Sequence, residues 1–109
     1  MIYTVKISAQ AESDLRAIYE YIAFELQSVP NAARQLNRLE ESILSLDQMP
    51  NRPPAYREEP WHSRGLRVMP VDNYLVFYIP DPDTRSVTVI RVMYGGRDID
   101  SQLEAFTQQ

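Results

Sequence analysis

The stretch that decides the fold is an apolar hairpin in the last third of the chain, Tyr74-Leu75-Val76-Phe77-Tyr78-Ile79 followed by Val87-Thr88-Val89-Ile90-Arg91-Val92-Met93. Both runs are rich in β-branched and aromatic residues, which favour strands. A turn cluster, Pro80-Asp81-Pro82-Asp83-Thr84, separates the runs and predicts that they pair as a hairpin. A third run, Gly65-Leu66-Arg67-Val68-Met69, precedes them. Strands near 65–69, 73–79 and 86–93 therefore predict a sheet that is mostly antiparallel.

The N-terminal half predicts a first strand and two helices. Residues 3–7 alternate between apolar and polar side chains, which indicates a short strand. Ser8 is a candidate helix cap, and apolar residues then recur at steps of three and four over 9–27. After a short break at 28–31, a second apolar stripe continues to the region of Met49-Pro50. A connection this short predicts a helical hairpin.

The order β-α-α-β-β-β predicts a single α+β domain over residues 1–109, with the helical hairpin packed on one face of the sheet. Asp98 can cap a further short helix at the C-terminus. No helix or strand is left for the second face of the sheet, which is expected to be solvated or to bind a partner. Tyr56 and Trp61, in and just after the proline-rich loop 50–60, are expected to seal that loop against the sheet.

The composition excludes several kinds of site. The chain has no cysteine, and His62 is its single histidine, so disulfides, thiolate chemistry and a Cys/His zinc site are excluded. No metal or cofactor is expected. The sequence has no apolar run of about 18 residues, the length that spans a membrane, and no signal-like start. The protein is therefore expected to be cytoplasmic, without a membrane partner.

The charge of the chain gives two opposing indications about nucleic acid. The formal net charge is −4, whereas nucleic-acid binders are usually basic because phosphate neutralisation supplies much of their affinity. Ten of the 11 positive residues are nevertheless arginine, the type that makes bidentate contacts with phosphate or carboxylate. The net charge argues against a nucleic-acid partner, whereas the predominance of arginine among the positive residues does not exclude one.

Arg67 and Arg91 lie inside predicted strands, and burying an unpaired arginine is costly. They are expected either to form an anion-handling surface on the uncovered face or to be surface arginines and salt-bridge partners, for example of Asp72. Tyr94 follows the last strand, where its phenol would hydrogen-bond or stack on a base, or pack at the rim of the sheet. Glu59 offers a carboxylate base, with a solvated loop as the alternative.

Three patterns, in order, resemble toxins of the RelE/ParE superfamily: Tyr3-x-Val5-x-Ile7-Ser8-x-x-Ala11-x-x-Asp14-Leu15-x-x-Ile18-x-x-Tyr21-Ile22, then Gly65-Leu66-Arg67 with Asn73-Tyr74-x-Val76-Phe77-Tyr78, then Val89-x-Arg91-Val92-x-Tyr94-Gly95-Gly96-Arg97-Asp98. The resemblance covers almost the whole chain. It implies the toxin of a type II toxin-antitoxin module, with a small α+β fold. It also implies a cognate antitoxin that wraps and neutralises the toxin, and contact with operator DNA only through that antitoxin.

The resemblance implies one of two targets. RelE-like members cleave mRNA on the ribosome without a metal: a base activates the 2′-hydroxyl, arginines stabilise the phosphorane and an acid assists the leaving oxygen. Arg67 and Arg91 match the strand arginines of that pattern, and Tyr94 stands near the position of a C-terminal histidine or tyrosine. Glu59 would be the loop carboxylate. Two further arginines, Arg64 and Arg97, are expected to contact the target.

ParE-like members instead inhibit DNA gyrase and need no catalytic residues, and the ending at 94–98 resembles them at least as closely. Ribosome-dependent mRNA cleavage is the leading expectation, gyrase inhibition is the alternative, and a non-toxic antitoxin-binding or autoregulatory domain is the third. The acidic chain and the absence of lysine from loop 50–60 fit poorly with docking on rRNA. Arg91→Ala is expected to weaken toxicity while leaving the fold intact.

Overall fold

The structure is a computed structural model that describes residues 2–48, 50, 55–56 and 59–95. In chain order the elements are β1 (Thr4–Ile7), α1 (Ala9–Glu20), α2 (Val29–Leu44), β2 (Arg67–Val71), β3 (Tyr74–Asp81) and β4 (Ser86–Tyr94). A π-helical turn at Tyr21–Glu25 continues α1, and a 3-10 turn at Ser45–Asp47 follows α2. The C-terminal helix expected after Asp98 lies outside the described residues.

The four strands form one mixed sheet in the order β1-β4-β3-β2. β1 pairs in parallel with β4, whereas β3 is antiparallel to both of its neighbours. The predicted order of elements and the mostly antiparallel sheet with helices on one face are confirmed. No helix within the described part of the chain is long and apolar enough to cross a membrane.

A serine hydroxyl caps the start of each helix, and the cap predicted at Ser8 is confirmed. Ser8 Oγ accepts a hydrogen bond from the Ala11 N–H at 3.0 Å, and Ser28 Oγ accepts one from the Asn31 N–H at 3.4 Å. Pro30 lies in the first turn of α2, where a missing N–H costs nothing. The regular helix predicted over 9–27 ends earlier than expected, at Glu20, because the chain widens into the π-helical turn.

The main core lies between the helices and the sheet. Its buried members come from α1, α2, the 3-10 turn and the four-stranded sheet: Ala11, Leu15, Leu39, Ile43, Leu46, Val71, Val76, Tyr78, Val87, Val89 and Val92. The apolar stripes of the two helices therefore face the sheet, as their periodicity predicts.

The second face of the sheet is covered, which corrects the expectation that it is solvated or free for a partner. Residues 55–56 and 59–66, called the loop layer below, place the buried side chains of Trp61 and Leu66 against Phe77. The Tyr56 and Phe77 rings meet edge to face, with centroids 5.9 Å apart at 79°. The expectation that Tyr56 and Trp61 seal the loop against the sheet is confirmed. The loop layer has no periodicity, so the hydrophobic pattern does not reveal it as cover.

A β-bulge interrupts the alternation of β4. Phe77 pairs with Arg91, but the next residue of β3, Tyr78, pairs with Val89, so Ile90 is the extra residue of β4. Val89 and Val92 both belong to the helix-side core, although they are three positions apart and a regular strand would turn them to opposite faces. The bulge therefore changes which way the residues after Ile90 face, and with them the surroundings of Arg91.

Candidate functional site

Arg91 makes a shielded ion pair with Asp14. The Arg91 Nε donates to Asp14 Oδ2 at 2.7 Å, and its Nη2 donates to Asp14 Oδ1 at 3.0 Å. Arg91 is 8% exposed as a residue, so the pair lies almost out of reach of water. Asp14 belongs to α1, and this two-point contact of a carboxylate with a guanidinium joins the first helix to the last strand.

The same carboxylate completes the edge of β4. The register of β1 on β4 ends at Ile7 and Val89, and the Ser8 hydroxyl then donates to the Ile90 carbonyl oxygen at 3.0 Å. The Val92 N–H donates to Asp14 Oδ2 at 3.0 Å. Side chains of the Ser8 cap and of α1 therefore take over from β1 as the partners of β4.

A groove of about 920 Å³ lies between the end of α1, the start of α2 and the ends of β3 and β4. Three tyrosines line this tyrosine groove, Tyr21, Tyr74 and Tyr94. The charged side chains of its described lining are Asp14 and Arg91, which are paired with each other. The groove therefore presents aromatic, aliphatic and uncharged polar surface with little net charge.

The tyrosines of the groove lie close to one another. The Tyr74 and Tyr94 rings meet edge to face, with centroids 5.9 Å apart at 74°. Burial raises the pKa of the Tyr74 phenol, and the neighbouring Tyr94 and Tyr21 raise it further. The Tyr74 phenol therefore stays protonated near neutral pH and can donate a hydrogen bond. Tyr94 and Tyr21 are about half exposed, which leaves aromatic surface for a partner.

The tip of the helical hairpin adds exposed apolar surface beside this groove. Phe24 is 68% exposed, and Tyr21, Leu26 and Val29 are each more than half exposed. Tyr21 and Leu26 also line the tyrosine groove, so the tip and the groove form one continuous surface. Contiguous apolar exposure of this kind marks interaction sites in soluble proteins.

Arg67, the second strand arginine, opens β2 and pairs with Tyr78 of β3. Burial raises the pKa of the Tyr78 phenol to about 12, although the nearby Arg67 charge opposes that rise. The Tyr78 hydroxyl donates to the Pro50 carbonyl oxygen at 2.7 Å inside the core. Arg67 is half-buried, so its surroundings differ from those of Arg91.

Glu59 and Arg64 lie in the loop layer. The Glu59 carboxylate accepts hydrogen bonds from the Ser63 hydroxyl and from the Ser63 N–H, and these bonds lower the pKa of Glu59. The Arg64 guanidinium lies over the Trp61 ring, 5.2 Å from its centroid. Arg97 lies outside the described residues.

The sequence matches the family model of the ParE toxin of the type II toxin-antitoxin system, parDE, over residues 5–99. The chain belongs to this toxin family. It is therefore a type II toxin-antitoxin toxin of the RelE/ParE superfamily, as the sequence patterns indicate. No curated protein sequence matches the toxin.

Solved structures share the fold of the toxin at low sequence identity. The chromosomal ParDE system of P. aeruginosa aligns with a TM-score of 0.70 and 19% identity, covering 85% of this chain and 96% of that chain. The RelBE2 toxin-antitoxin complex of Mycobacterium tuberculosis has a TM-score of 0.66 and 23% identity, covering 86% and 99%. The free E. coli toxin RelE, as a double arginine-to-alanine variant, has a TM-score of 0.68 and 14% identity, covering 99% and 98%.

The sequence-predicted site residues of the toxin fall into separate places. Arg91 and Tyr94 line the tyrosine groove. Arg67 lies on β2, which β3 separates from β4. Glu59 and Arg64 belong to the loop layer, on the face of the sheet opposite the helices. Arg91 and Tyr94 thus share a cavity.

Three residues of the groove are missing from the sequence prediction: Asp14, Tyr21 and Tyr74. Asp14 carries a usable signal, because it stands directly beside the apolar stripe of α1 while an arginine lies inside a predicted strand. A carboxylate on the border of a core-facing stripe and an arginine in a strand predict an ion pair between layers. The two tyrosines read as ordinary core residues, and the sequence carries no signal that separates them from the core.

Proposed function

We propose that the toxin arrests growth by binding and inhibiting DNA gyrase, without catalysing a reaction. The observation that carries the proposal is the shielded pair between Arg91 and Asp14. The arginine expected to stabilise a phosphorane already has a carboxylate in bidentate contact. A phosphate would have to displace that carboxylate and leave it buried without its cation, which is costly.

The separation of the other candidate groups supports the same proposal. A general base works only within about 2.6–3.2 Å of the proton it removes, directly or through one water. Glu59 lies in the loop layer, on the face of the sheet opposite α1, whereas Arg91 contacts α1. The lowered pKa of Glu59 also makes this carboxylate a weaker base than an ordinary glutamate.

The distribution of charge adds a further argument against RNA as the target. Residues 8–48, which hold both helices, carry seven acidic and three basic side chains. A surface with this excess of negative charge repels a phosphate backbone, whose binding depends on neutralisation by lysine and arginine. A protein target such as gyrase has no such requirement.

The experiment gives the purified toxin two targets in parallel. One reaction follows supercoiling of relaxed plasmid by gyrase, and the other follows the integrity of an mRNA on translating ribosomes. We expect blocked supercoiling and intact message, with relaxation by a type I topoisomerase unaffected as the control. Cleavage of the message within codons, with normal supercoiling, would replace the proposal by ribosome-dependent RNA cleavage. No effect in either reaction, from folded protein, would favour a non-toxic domain.

We further infer that a cognate antitoxin covers the tyrosine groove and the hairpin tip. The solved ParDE system and RelBE2 complex are named for a toxin with its antitoxin. In this chain, the exposed Phe24 and Leu26 of the hairpin tip and Tyr94 of the groove provide the aromatic and aliphatic contacts typical of protein interfaces. Contact with operator DNA is then expected only through the antitoxin.

The antitoxin assignment is tested by co-purification with the product of the neighbouring reading frame. Leu26→Glu places a charge in the groove wall and is expected to abolish co-purification. Leu44→Glu is the matched control, because Leu44 is similarly exposed but does not line the groove. Equal binding of the antitoxin by both variants would mean that it binds another surface of the toxin.

A further inference from the structure

Asp14 makes more contacts than ion pairing with Arg91 requires. Its two carboxylate oxygens accept from the Arg91 Nε, the Arg91 Nη2 and the Val92 N–H, at 2.7–3.0 Å. The Asp14 side chain is 11% exposed. Charge-assisted hydrogen bonds of this kind have defined lengths and directions, unlike apolar packing. Asp14 therefore fixes a distance between α1 and β4 in addition to contributing stability.

The position of Asp14 relates it to two tyrosines of the groove. Tyr21 follows Asp14 by seven residues, or about two helical turns, so both lie on the same side of the helix axis about 10 Å apart. Tyr94 follows Val92 by two residues and extends from the same face of β4. The ion pair thus joins α1 and β4 at one end, and farther along the groove is lined by Tyr21, in the π-helical turn that continues α1, and by Tyr94, at the end of β4.

We propose that Asp14 is a positioning residue for the tyrosine groove: through Arg91 and Val92 it sets the separation of α1 and β4, and thereby the placement of Tyr21 relative to Tyr94. Shape complementarity at an interface depends on separations of this kind. The length of the side chain at position 14 then matters as well as its charge.

The test measures the groove in the isolated, folded toxin. Fluorotyrosine is incorporated, the resonances of Tyr21, Tyr74 and Tyr94 are assigned with single phenylalanine variants, and ¹⁹F NMR spectra are recorded. Asp14→Glu keeps the charge and lengthens the side chain by one methylene. Asp14→Asn keeps the length and removes the charge. Arg91→Lys keeps the charge but removes the two-point contact.

A second ion pair provides the matched control. The Arg38 Nε and Nη2 donate to Asp72 at 2.7 and 2.8 Å, so this pair also joins a helix to the sheet by two-point contact. It is exposed, with side-chain exposures of 60% and 31%, and neither partner lines the groove. Because Asp72 also accepts from Gln35 of the groove lining at 3.1 Å, the control change is made at the cation: Arg38→Lys matches Arg91→Lys at a pair whose arginine does not line the groove.

We expect Asp14→Glu and Arg91→Lys to shift the Tyr21 and Tyr94 resonances while the protein stays folded, and Arg38→Lys to leave both in place. Unshifted tyrosines in a destabilised Asp14→Glu protein would show a purely structural role and overturn the proposal. Failure of all three variants at positions 14 and 91 to fold would overturn it as well.

The binding consequence rests on the proposed antitoxin site. There, Asp14→Glu should weaken antitoxin affinity about tenfold or more, as loss of a well-packed interface contact does, and Arg38→Lys should not. Shifted resonances with unchanged affinity would support Asp14 as the positioning residue but would show that the antitoxin does not bind in the groove. Unshifted resonances would reject the positioning role whatever the affinity.

Discussion

Arg91 and Asp14 form a bidentate ion pair between β4 and α1 in which the two side chains are only 10% and 11% exposed. This relationship changes the expected effect of replacing the arginine. The sequence alone predicts that Arg91→Ala weakens toxicity in an intact fold. In the structure, the substitution leaves a buried carboxylate without its cation and without two of its hydrogen-bond donors.

Arg91→Ala is therefore expected to lower the free energy of unfolding by about 3–5 kcal/mol, the range for breaking a buried ion pair. Urea denaturation followed by the fluorescence of Trp61 measures the change. Arg38→Ala is the control: the Arg38–Asp72 pair has the same two-point geometry but lies in solvent, so its loss should cost much less. A fully stable but non-toxic Arg91→Ala protein would mean that Arg91 acts on the target of the toxin and does not hold the fold together.

The sequence predicts the elements of this fold better than it predicts the contacts between them. Ser8 and Ser28 carry local signals for helix starts, and alternation and turn residues locate the strands, because these features depend on neighbours along the chain. Tyr56 and Trp61 indicate that the loop packs on the sheet, but the face that it covers does not follow, since the loop segment has no period. The position of Asp14 favours an ion pair with a strand arginine, but the sequence does not select Arg91 over Arg67, because the bulge at Ile90 interrupts the alternation that would predict the direction of Arg91.

Trp61→Ala tests the loop layer as a second core. Trp61 is 5% exposed and packs in one cluster with Leu66 and Phe77, so its removal should leave a cavity on the outer face of the sheet. The expected loss is about 3–5 kcal/mol of unfolding free energy, measured by thermal or urea unfolding with circular dichroism. Arg64→Ala removes only the cation above the indole ring and should cost about 1 kcal/mol or less. Equal stability of the Trp61 and Arg64 variants would mean that the loop layer does not contribute to folding.

Tyr78→Phe tests the buried hydrogen bond to the Pro50 carbonyl oxygen. Removal of the hydroxyl leaves that oxygen without its donor in the core, which should cost about 1–3 kcal/mol. The same phenol predicts a loss of stability at high pH. Its pKa is raised from 10.0 to about 12 by burial, so the unfolded chain releases the proton first and the contribution falls as pH rises between these values.

Urea unfolding at about pH 9 and at about pH 11 separates the two effects of Tyr78. The wild-type protein should lose more stability between these conditions than Tyr78→Phe, because the other six tyrosines are common to both proteins. An identical loss in the two proteins would mean that Tyr78 ionises in the folded state as readily as in the unfolded state.

Glu59→Gln replaces one carboxylate oxygen by an amide nitrogen and thereby distinguishes a binding toxin from a catalytic one. The Gln side chain keeps a carbonyl oxygen that can accept from the Ser63 N–H, so the turn should keep its geometry. If Glu59 were a general base, its replacement would lower RNA cleavage about 10²–10⁴-fold and relieve growth arrest. Because Glu59 is held by Ser63 on the face opposite the groove, we expect growth arrest to be unchanged at equal protein levels, checked by induced expression with immunoblotting. Relief of growth arrest by Glu59→Gln at equal protein levels would place the active surface on the loop layer.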